Sequence, residues 1–327
     1  MTTRRELLIA LGAGAIAVPF ASFAQQPQKV YRVGFLFAGT LAQRPQAQAF
    51  WQGLRELGYT EGKNIVIEVR EAKGRADKLP ELAANIVNWK PDVIVAVPTA
   101  GAAAAQRSTG LIPIVMVVVT DPLGAGLVKS LARPEANITG VSTNIAELGG
   151  KQLQLLKELL PKVSRIGILW NSQNPSNVGV VKLVETAAPS LGVQLQSLSI
   201  RGPNDLDGAL AAAVRGRSEA LFVVADFVAF DHRGAIIAFA ADKRLPTMHT
   251  WPEEALDGGL VAYGPKLSEQ YSRAAYYVDR ILKGAKPSDL PVEQPTIYEL
   301  VINMKAARAL GITVPQSILL RADKVIE

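Results

Sequence analysis

Short apolar runs alternate with amphipathic helical patterns along most of this chain, and no other feature of the sequence constrains the fold as strongly. The first series has predicted strands at residues 31–37, 65–69, 93–97 and 114–119 and predicted helices at residues 46–57, 78–88, 100–107 and 123–131. Strands that alternate with helices in this way imply parallel sheets with right-handed crossovers. Several of the strands are almost wholly apolar, which is typical of sheets covered on both faces.

A second series follows an interruption at Pro134, Asn137 and Gly140. Its predicted strands are residues 165–170, 193–200 and 220–224, and its predicted helices are residues 148–160, 178–191, 205–214 and 233–243. The chain has 327 residues, of which 49% are hydrophobic, so it can bury two cores. The sequence therefore predicts an α/β protein with two doubly wound, parallel-sheet lobes.

The N-terminus has the layout of an export signal. Arg4 and Arg5 precede an apolar stretch at residues 7–20, and Ser22 and Ala24 supply the small residues that a signal peptidase reads. We expect cleavage after Ala24 and a periplasmic mature chain without stable membrane insertion. The arginine pair resembles a twin-arginine motif but lacks the phenylalanine and lysine favoured after it, so the general secretory route stays open. The absence of cysteine excludes disulfides and a lipid-bearing N-terminal cysteine.

Composition argues against several other classes of protein. The formal charge of +6 is scattered among acidic residues, so we expect no nucleic-acid partner. The two histidines, His232 and His249, stand alone, and neither a metal site nor a cofactor is predicted. Ser142 lacks the second glycine of a G-x-S-x-G nucleophile motif, and we interpret it as structural. We expect no enzymatic activity, although Asp121 and Asp226 leave open an acid–base pair in an exported hydrolase.

Polar residues follow the predicted strands at their carboxyl ends, where parallel sheets bind ligands. The candidate ligand-binding residues are Phe37, Thr40, Thr99, Ala100, Thr120 and Asp121 from the first series, and Trp170, Asn171, Asn174, Asp226, Trp251 and Tyr263 from the second part of the chain. Asp121 has an alternative role as an ordinary helix cap. Phe37 and Trp170 end apolar strands, so each is either a ligand contact or a core residue.

Four segments together resemble successive blocks of one protein family. They are PDVIVA at residues 91–96, IPIV at 112–115, TDPLGAGLV at 120–128 and NITGVS at 137–142. The family is that of the ABC transporter substrate-binding proteins, including the tryptophan- and tyrosine-binding members, with the type I periplasmic binding protein fold. The resemblance continues at residues 153–161, 165–169, 281–284 and 302–307.

The resemblance implies two lobes joined by a three-segment hinge, closing on a small solute that is passed to an ABC permease in the inner membrane. We expect crossovers near Gly140, Gly258 and Pro295. The predicted division is an export signal at residues 1–24, a first lobe at 29–140 plus about 259–295, and a second lobe at 141–258 plus about 296–327. An alternative is that the protein presents its ligand to a membrane sensor instead of a permease.

The resemblance also implies roles for the candidate residues. Thr99 and the backbone of Ala100 and Gly101 begin a helix, and its unpaired N–H groups suit a carboxylate or another anion. Asp121 and Asp226 would face each other from opposite lobes and accept hydrogen bonds from a ligand amine. Asn171 and Asn174 can both donate and accept hydrogen bonds, which suits a zwitterion. The aromatic candidates could stack on a flat ligand. The loop after Trp170 departs from that of the amino-acid-binding members. The ligand is therefore expected to be an aromatic amino acid or another small aromatic compound.

Overall fold

The computed structural model of the protein describes residues 29–327, so the predicted export signal at residues 1–24 lies outside the described residues. Residues 31–327 form one compact unit that contains two sheets. Within the described residues, no helix combines the length and the apolar character that crossing a membrane requires.

The first sheet has five strands, all paired in parallel. Its strands are β1 (Tyr31–Phe37), β2 (Ile65–Glu71), β3 (Val93–Val97), β4 (Ile114–Val119) and β5 (Ile138–Ser142), and the helices between them are α1 (Gln48–Glu56), α2 (Leu79–Asn88) and α3 (Thr99–Ser108). The spatial order is β2-β1-β3-β4-β5. Along β1, Phe35 and Phe37 enter one apolar cluster and Leu36 enters another, so both faces of the sheet are buried.

The second sheet has seven strands in the order β12-β11-β10-β9-β8-β6-β7. They are β6 (Arg165–Asn171), β7 (Gln194–Ile200), β8 (Ala220–Val223), β9 (Thr247–His249), β10 (Val261–Gly264), β11 (Glu299–Asn303) and β12 (Lys324–Ile326). The remaining helices are α4 (Gly149–Leu159), α5 (Pro175–Ala187), α6 (Leu206–Arg215), α7 (Phe227–Asp231), α8 (Arg233–Asp242), α9 (Pro252–Leu256), α10 (Leu267–Leu282), α11 (Met304–Leu310) and α12 (Gln316–Leu319). The pairing of β10 with β11 is antiparallel, which departs from the all-parallel expectation.

The chain passes between the two sheets three times. The first passage follows Ser142, the last residue of β5, and the third runs through residues 294–298. The expected second passage near Gly258 is wrong, because β10 still pairs with β9 in the second sheet. That passage lies between Gly264 and Leu267, where α10 begins.

Helix α10 then packs against the first lobe. Its residues Tyr271 and Ala275 share an apolar cluster with Phe50 of α1. The two helices approach closely at Gly53, where an added Cβ would lie 2.9 Å from the Cβ of Ala275. Glycine is therefore required at this helix contact. Helix α10 belongs to the first lobe, although in sequence it lies between β10 and β11 of the second sheet.

The predicted helix at residues 123–131 is not present, and the segment forms a turn. Asp121 Oδ1 accepts from the Gly124 backbone N–H at 2.8 Å, which closes the turn. Gly126 adopts a φ of 67°, a left-handed value that glycine favours and that a helix excludes. The apolar residues Leu127 and Val128 are buried beyond the turn, which accounts for the helix-like pattern in the sequence.

Candidate ligand-binding site

A cleft lies between the two lobes, where the loops after β3, β4 and β8 meet. The space between its lining residues, counted together with the open solvent at its mouth, is about 420 Å³. The first lobe contributes Arg44, Pro98, Thr99, Val118, Thr120, Leu267 and Tyr271, and the second contributes Ile145, Asn174, Ala225, Asp226, Phe227, Phe230 and Trp251. Ligand sites in proteins are typically clefts with an apolar lining and a few fixed polar groups, and this cleft has that character.

The apolar part of the lining is largely aromatic. Phe227 and Phe230 lie on α7, Trp251 lies just before α9, and Tyr271 reaches in from α10. Trp251 is 4% exposed and Tyr271 is 1% exposed, so these rings are held by packing. A wall of this kind suits a flat, apolar ligand group.

Asp226 supplies a fixed carboxylate in the cleft. Its Oδ1 accepts from Asn171 Nδ2 at 3.1 Å and from the Val228 backbone N–H at 2.8 Å, where it caps α7. Its Oδ2 accepts from Asn174 Nδ2 at 2.9 Å. Because the donors are amides and a backbone N–H group, they orient the carboxylate without neutralising it. The arrangement suits an amine or another donor on a ligand.

Arg44 and Asp231 form a buried ion pair between the lobes. Arg44 lies in the loop between β1 and α1, and Asp231 ends α7 on the other lobe. The Arg44 Nη2 atom is 2.7 Å from Asp231 Oδ1, and the two side chains are 2% and 7% exposed. The Arg44 guanidinium also lies over the rings of Phe227 and Phe230, at 4.5 and 3.9 Å from their centroids.

Burial dominates the electrostatics of this pair. It lowers the pKa of Arg44 below its ordinary value, and the attraction of Asp231 opposes that change. Burial also raises the pKa of Asp231, with Arg44 opposing the change. Both charged forms therefore lose more in desolvation than they gain from each other, which is common for buried ion pairs.

Two threonines and a strained valine form the first-lobe side of the cleft. The Thr120 backbone N–H donates to Thr99 Oγ1 at 3.4 Å, which links the loops after β3 and β4. Val118 has a φ of 57°, a left-handed conformation that is unfavourable for a β-branched residue. The pairing register of β4 with β5 shifts between Met116 and Val119 at the same place. This irregularity lies in the cleft lining, where strained residues tend to occur.

Five of the predicted residues line the cleft: Thr99, Thr120, Asn174, Asp226 and Trp251. Others lie behind it and support lining residues. Asn171 holds Asp226, the Phe37 ring meets the Phe227 ring edge-on at 5.6 Å, and the Thr40 backbone N–H donates to Asp231 Oδ2 at 3.3 Å. Ala100 is exposed in the first turn of α3 and is not among the lining residues.

Three predicted residues lie elsewhere. Asp121 is exposed and turned into its own loop, where it accepts from Gly124, so the expectation that it faces Asp226 across the cleft is wrong. Trp170 packs on the second-lobe core, and its Nε1 donates to Ser197 Oγ of the neighbouring strand at 2.8 Å. Tyr263 stacks near Tyr298 at 6.2 Å between ring centroids and is not part of the lining.

Nine lining residues are not among the candidates. Pro98, Ala225 and Phe227 follow the ends of β3 and β8, and the others come from elsewhere: Arg44, Val118, Ile145, Phe230, Leu267 and Tyr271. Phe230 lies one helical turn after Asp226, so the spacing within the short helix α7 could have indicated it. No local signal marks Arg44, which is one arginine among many in the sequence. Among the residues that the structure describes, no cluster of three or more His, Asp or Glu side chains suitable for a metal ion occurs.

The fold and the cleft define a class of protein: a two-lobed, solute-binding protein of the type I periplasmic binding protein fold. Residues 42–326 match the model of the ABC transporter substrate-binding protein family, and the chain belongs to that family. A tyrosine-binding protein of Clostridioides difficile is 28% identical over 263 residues, which cover 80% of this chain and 75% of the relative.

Two solved relatives differ in how well they superpose on this chain. A Streptococcus pneumoniae ABC domain in complex with L-tryptophan is 26% identical and superposes with a TM-score of 0.83, covering 91% of this chain and 100% of that one. A ligand-free, open substrate-binding protein with adhesive properties from Clostridium difficile is 25% identical, with a TM-score of 0.65 over 91% of this chain and 99% of that one. At nearly equal identity and coverage, the chain superposes more closely on the tryptophan complex.

Proposed function

We propose that this protein is the periplasmic substrate-binding component of an ABC importer, and that it traps an aromatic amino acid or a similar small aromatic compound between its lobes. The observation that carries the proposal is the cleft itself, in which an aromatic wall from α7, α9 and α10 adjoins the Asp226 carboxylate. The relatives named for tyrosine or solved with L-tryptophan support the same ligand class. The solute leaves chemically unchanged and passes to an ABC permease in the inner membrane.

Two features of the chain support an extracytoplasmic location. Its family works outside the cytoplasm, and residues 1–24 have the layout of an export signal. N-terminal sequencing of the protein recovered from a periplasmic fraction tests this part of the proposal. The mature chain is expected to begin at Gln25, and recovery of the uncleaved chain from the cytoplasm alone would contradict it.

The ligand is tested by thermal denaturation of the mature protein with a panel of amino acids and small aromatic compounds, followed by calorimetry. A ligand at 100 times its dissociation constant stabilises the folded state by about 2.7 kcal/mol. L-tryptophan or L-tyrosine is expected to raise the melting temperature and to be recovered unaltered by chromatography. A larger shift with a sugar, polyol or aliphatic amino acid would contradict the proposed ligand class.

A further inference from the structure

Arg44 has hydrogen-bonding capacity that the protein does not use. Its Nη2 is occupied, because it lies 2.7 Å from Asp231 Oδ1 and donates to the Phe227 carbonyl oxygen at 3.3 Å. Its Nε and Nη1 atoms are buried and have no hydrogen-bond partner among the described residues. The side chain is 2% exposed and lines the cleft.

A buried guanidinium with unpaired N–H groups is unusual in a folded protein. Buried donors are paired in the great majority of cases, and an unpaired one retains its desolvation cost. The rings of Phe227 and Phe230 stabilise the positive charge through their faces, but they offer no acceptor in the plane of the N–H groups. The Nε and Nη1 atoms of Arg44 therefore remain available to donate to an acceptor that enters the cleft.

The charges around the cleft point to the kind of acceptor. Arg44 and Asp226 both line the cleft, one from each lobe, so a positive and a negative side chain are available to the same ligand. Asp226 accepts only from amide and backbone N–H groups among the described residues, which leaves its negative charge for a ligand cation. A group with a full negative charge and planar oxygen acceptors fits the guanidinium best, and a carboxylate is such a group.

We infer that Arg44 binds the carboxylate of the ligand and thereby selects carboxylic acids over their neutral analogues. The inference rests on the proposed function only in that the cleft holds a small solute; it does not require that the solute be aromatic. Asp231 and the two phenylalanine rings hold the guanidinium in place, and Asp226 receives the amine when the ligand is an amino acid. The resemblance had implied the first turn of α3 for the carboxylate; Thr99 lines the cleft there, whereas Ala100 does not.

The test compares acids with their amides by calorimetry. The probes are L-tryptophan with L-tryptophanamide, L-tyrosine with L-tyrosinamide, L-leucine with L-leucinamide, and benzoate with benzamide, at about pH 6.5, where α-amino groups stay protonated. The wild-type protein is expected to bind its best acid about tenfold or more tightly than the matching amide. In Arg44→Gln this preference is expected to fall to about threefold or less, mainly through weaker binding of the acid.

A matched control is available in Arg233. Its guanidinium lies 4.2 Å from the centroid of Phe230, but it pairs with Asp257 and does not line the cleft. Arg233→Gln should therefore keep the acid preference of the wild type. Arg44→Gln leaves Asp231 without its partner and could be unstable for that reason. In that case the double variant Arg44→Gln/Asp231→Asn, which removes both buried charges, is used in the test instead of the single variant.

The outcomes separate this inference from the proposed ligand class. Preference for an acid that is lost with Arg44 supports the inference, even if the best ligand is leucine and the aromatic proposal fails. Tight binding of an aromatic amide, equal to that of its acid in the wild type, overturns the inference while leaving the aromatic class intact. An acid preference that persists in Arg44→Gln or in the double variant, or binding of none of the acids, also overturns it.

Discussion

Arg44 Nη2 lies 2.7 Å from Asp231 Oδ1, and this contact joins the loop after β1 in the first lobe to the end of α7 in the second. The Thr40 N–H also reaches Asp231, and Phe37 meets Phe227 across the same boundary. These contacts exist only when the lobes are together. We therefore expect ligand binding and lobe closure to be coupled through the residues beside the cleft.

The first prediction concerns closure. Gly39 lies at the lobe boundary, where an added Cβ would be 3.1 Å from both Asp231 Oδ2 and Phe227 Cδ1. Gly39→Leu should therefore prevent full closure, weaken ligand binding at least tenfold and leave each lobe folded. Small-angle X-ray scattering with saturating ligand checks this, and the variant should keep the larger radius of the open form.

The control for this variant is Gly110→Leu, since Gly110 is exposed and nothing lies within 4 Å of an added Cβ. It should close on ligand as the wild type does. Normal compaction of Gly39→Leu with ligand would show that the Arg44–Asp231 boundary does not form in the closed protein.

The second prediction compares two aspartates. Asp226→Ala removes the cleft carboxylate, the cap of α7 and the acceptor of Asn171 and Asn174, so it should abolish measurable binding of an amine-bearing ligand. It should also lower the free energy of unfolding by about 1–3 kcal/mol. Asp121→Ala removes only an exposed turn contact and should leave affinity unchanged. Calorimetry with L-tryptophan checks both, and equal affinity in the two variants would remove Asp226 from the site.

The third prediction compares two tryptophans, Trp170 near the end of β6 and Trp251 in the loop after β9. Trp251→Phe reduces the aromatic wall of the cleft and should weaken binding of an aromatic ligand by about fivefold or more, because stacking area is lost. Trp170→Phe loses the indole hydrogen bond to Ser197 outside the cleft and should change stability but not affinity. Titration by calorimetry distinguishes them, and a larger loss of affinity in Trp170→Phe would contradict the assigned lining.

The fourth prediction concerns Glu253, whose pKa burial raises from 4.5 to about 7. Its Oε1 accepts from the Leu267 N–H at the second passage between lobes, and its Oε2 is buried without a hydrogen-bond partner among the described residues. The folded state holds the Glu253 proton more tightly than the unfolded chain does. The stability that this proton gives to the folded state is therefore present below pH ~4.5 and is lost as the pH rises to about 7.

Glu253→Gln removes this titration and keeps an acceptor for Leu267. The variant should be more stable than the wild type above pH ~7 by on the order of 2–3 kcal/mol, and the difference should shrink toward pH ~4.5. Urea denaturation across that range measures it. A difference that stays constant with pH would show that Glu253 titrates normally.

The parts of the fold that follow the repeated alternation of strand and helix could be predicted closely. The predicted strands at residues 31–37, 93–97 and 114–119 coincide with β1, β3 and β4. After Thr250 the strands have three to five residues and β10 pairs antiparallel with β11, so the pattern of the sequence no longer indicated the topology. The sequence therefore did not indicate that α10 returns to the first lobe.

The candidate site could be predicted only for residues that lie close in sequence to the end of a strand. Asp226 lies in the loop after β8, and the general position of ligands in parallel sheets indicates such a residue. Asp121 satisfies the same rule but closes its own turn, and only the backbone geometry of the following glycines distinguishes the two. Arg44 and Asp231 meet because two lobes pack together, and no spacing along the chain encodes that meeting.

The central claim is that one solute is held between the lobes by groups from both. A crystal structure of the mature protein with L-tryptophan or L-tyrosine tests it most directly. We predict ligand density in the cleft, with the carboxylate at Arg44, the amine at Asp226 and the ring against Phe227, Phe230 or Trp251. Ligand density outside the cleft, or in contact with one lobe alone in a closed protein, would contradict the claim.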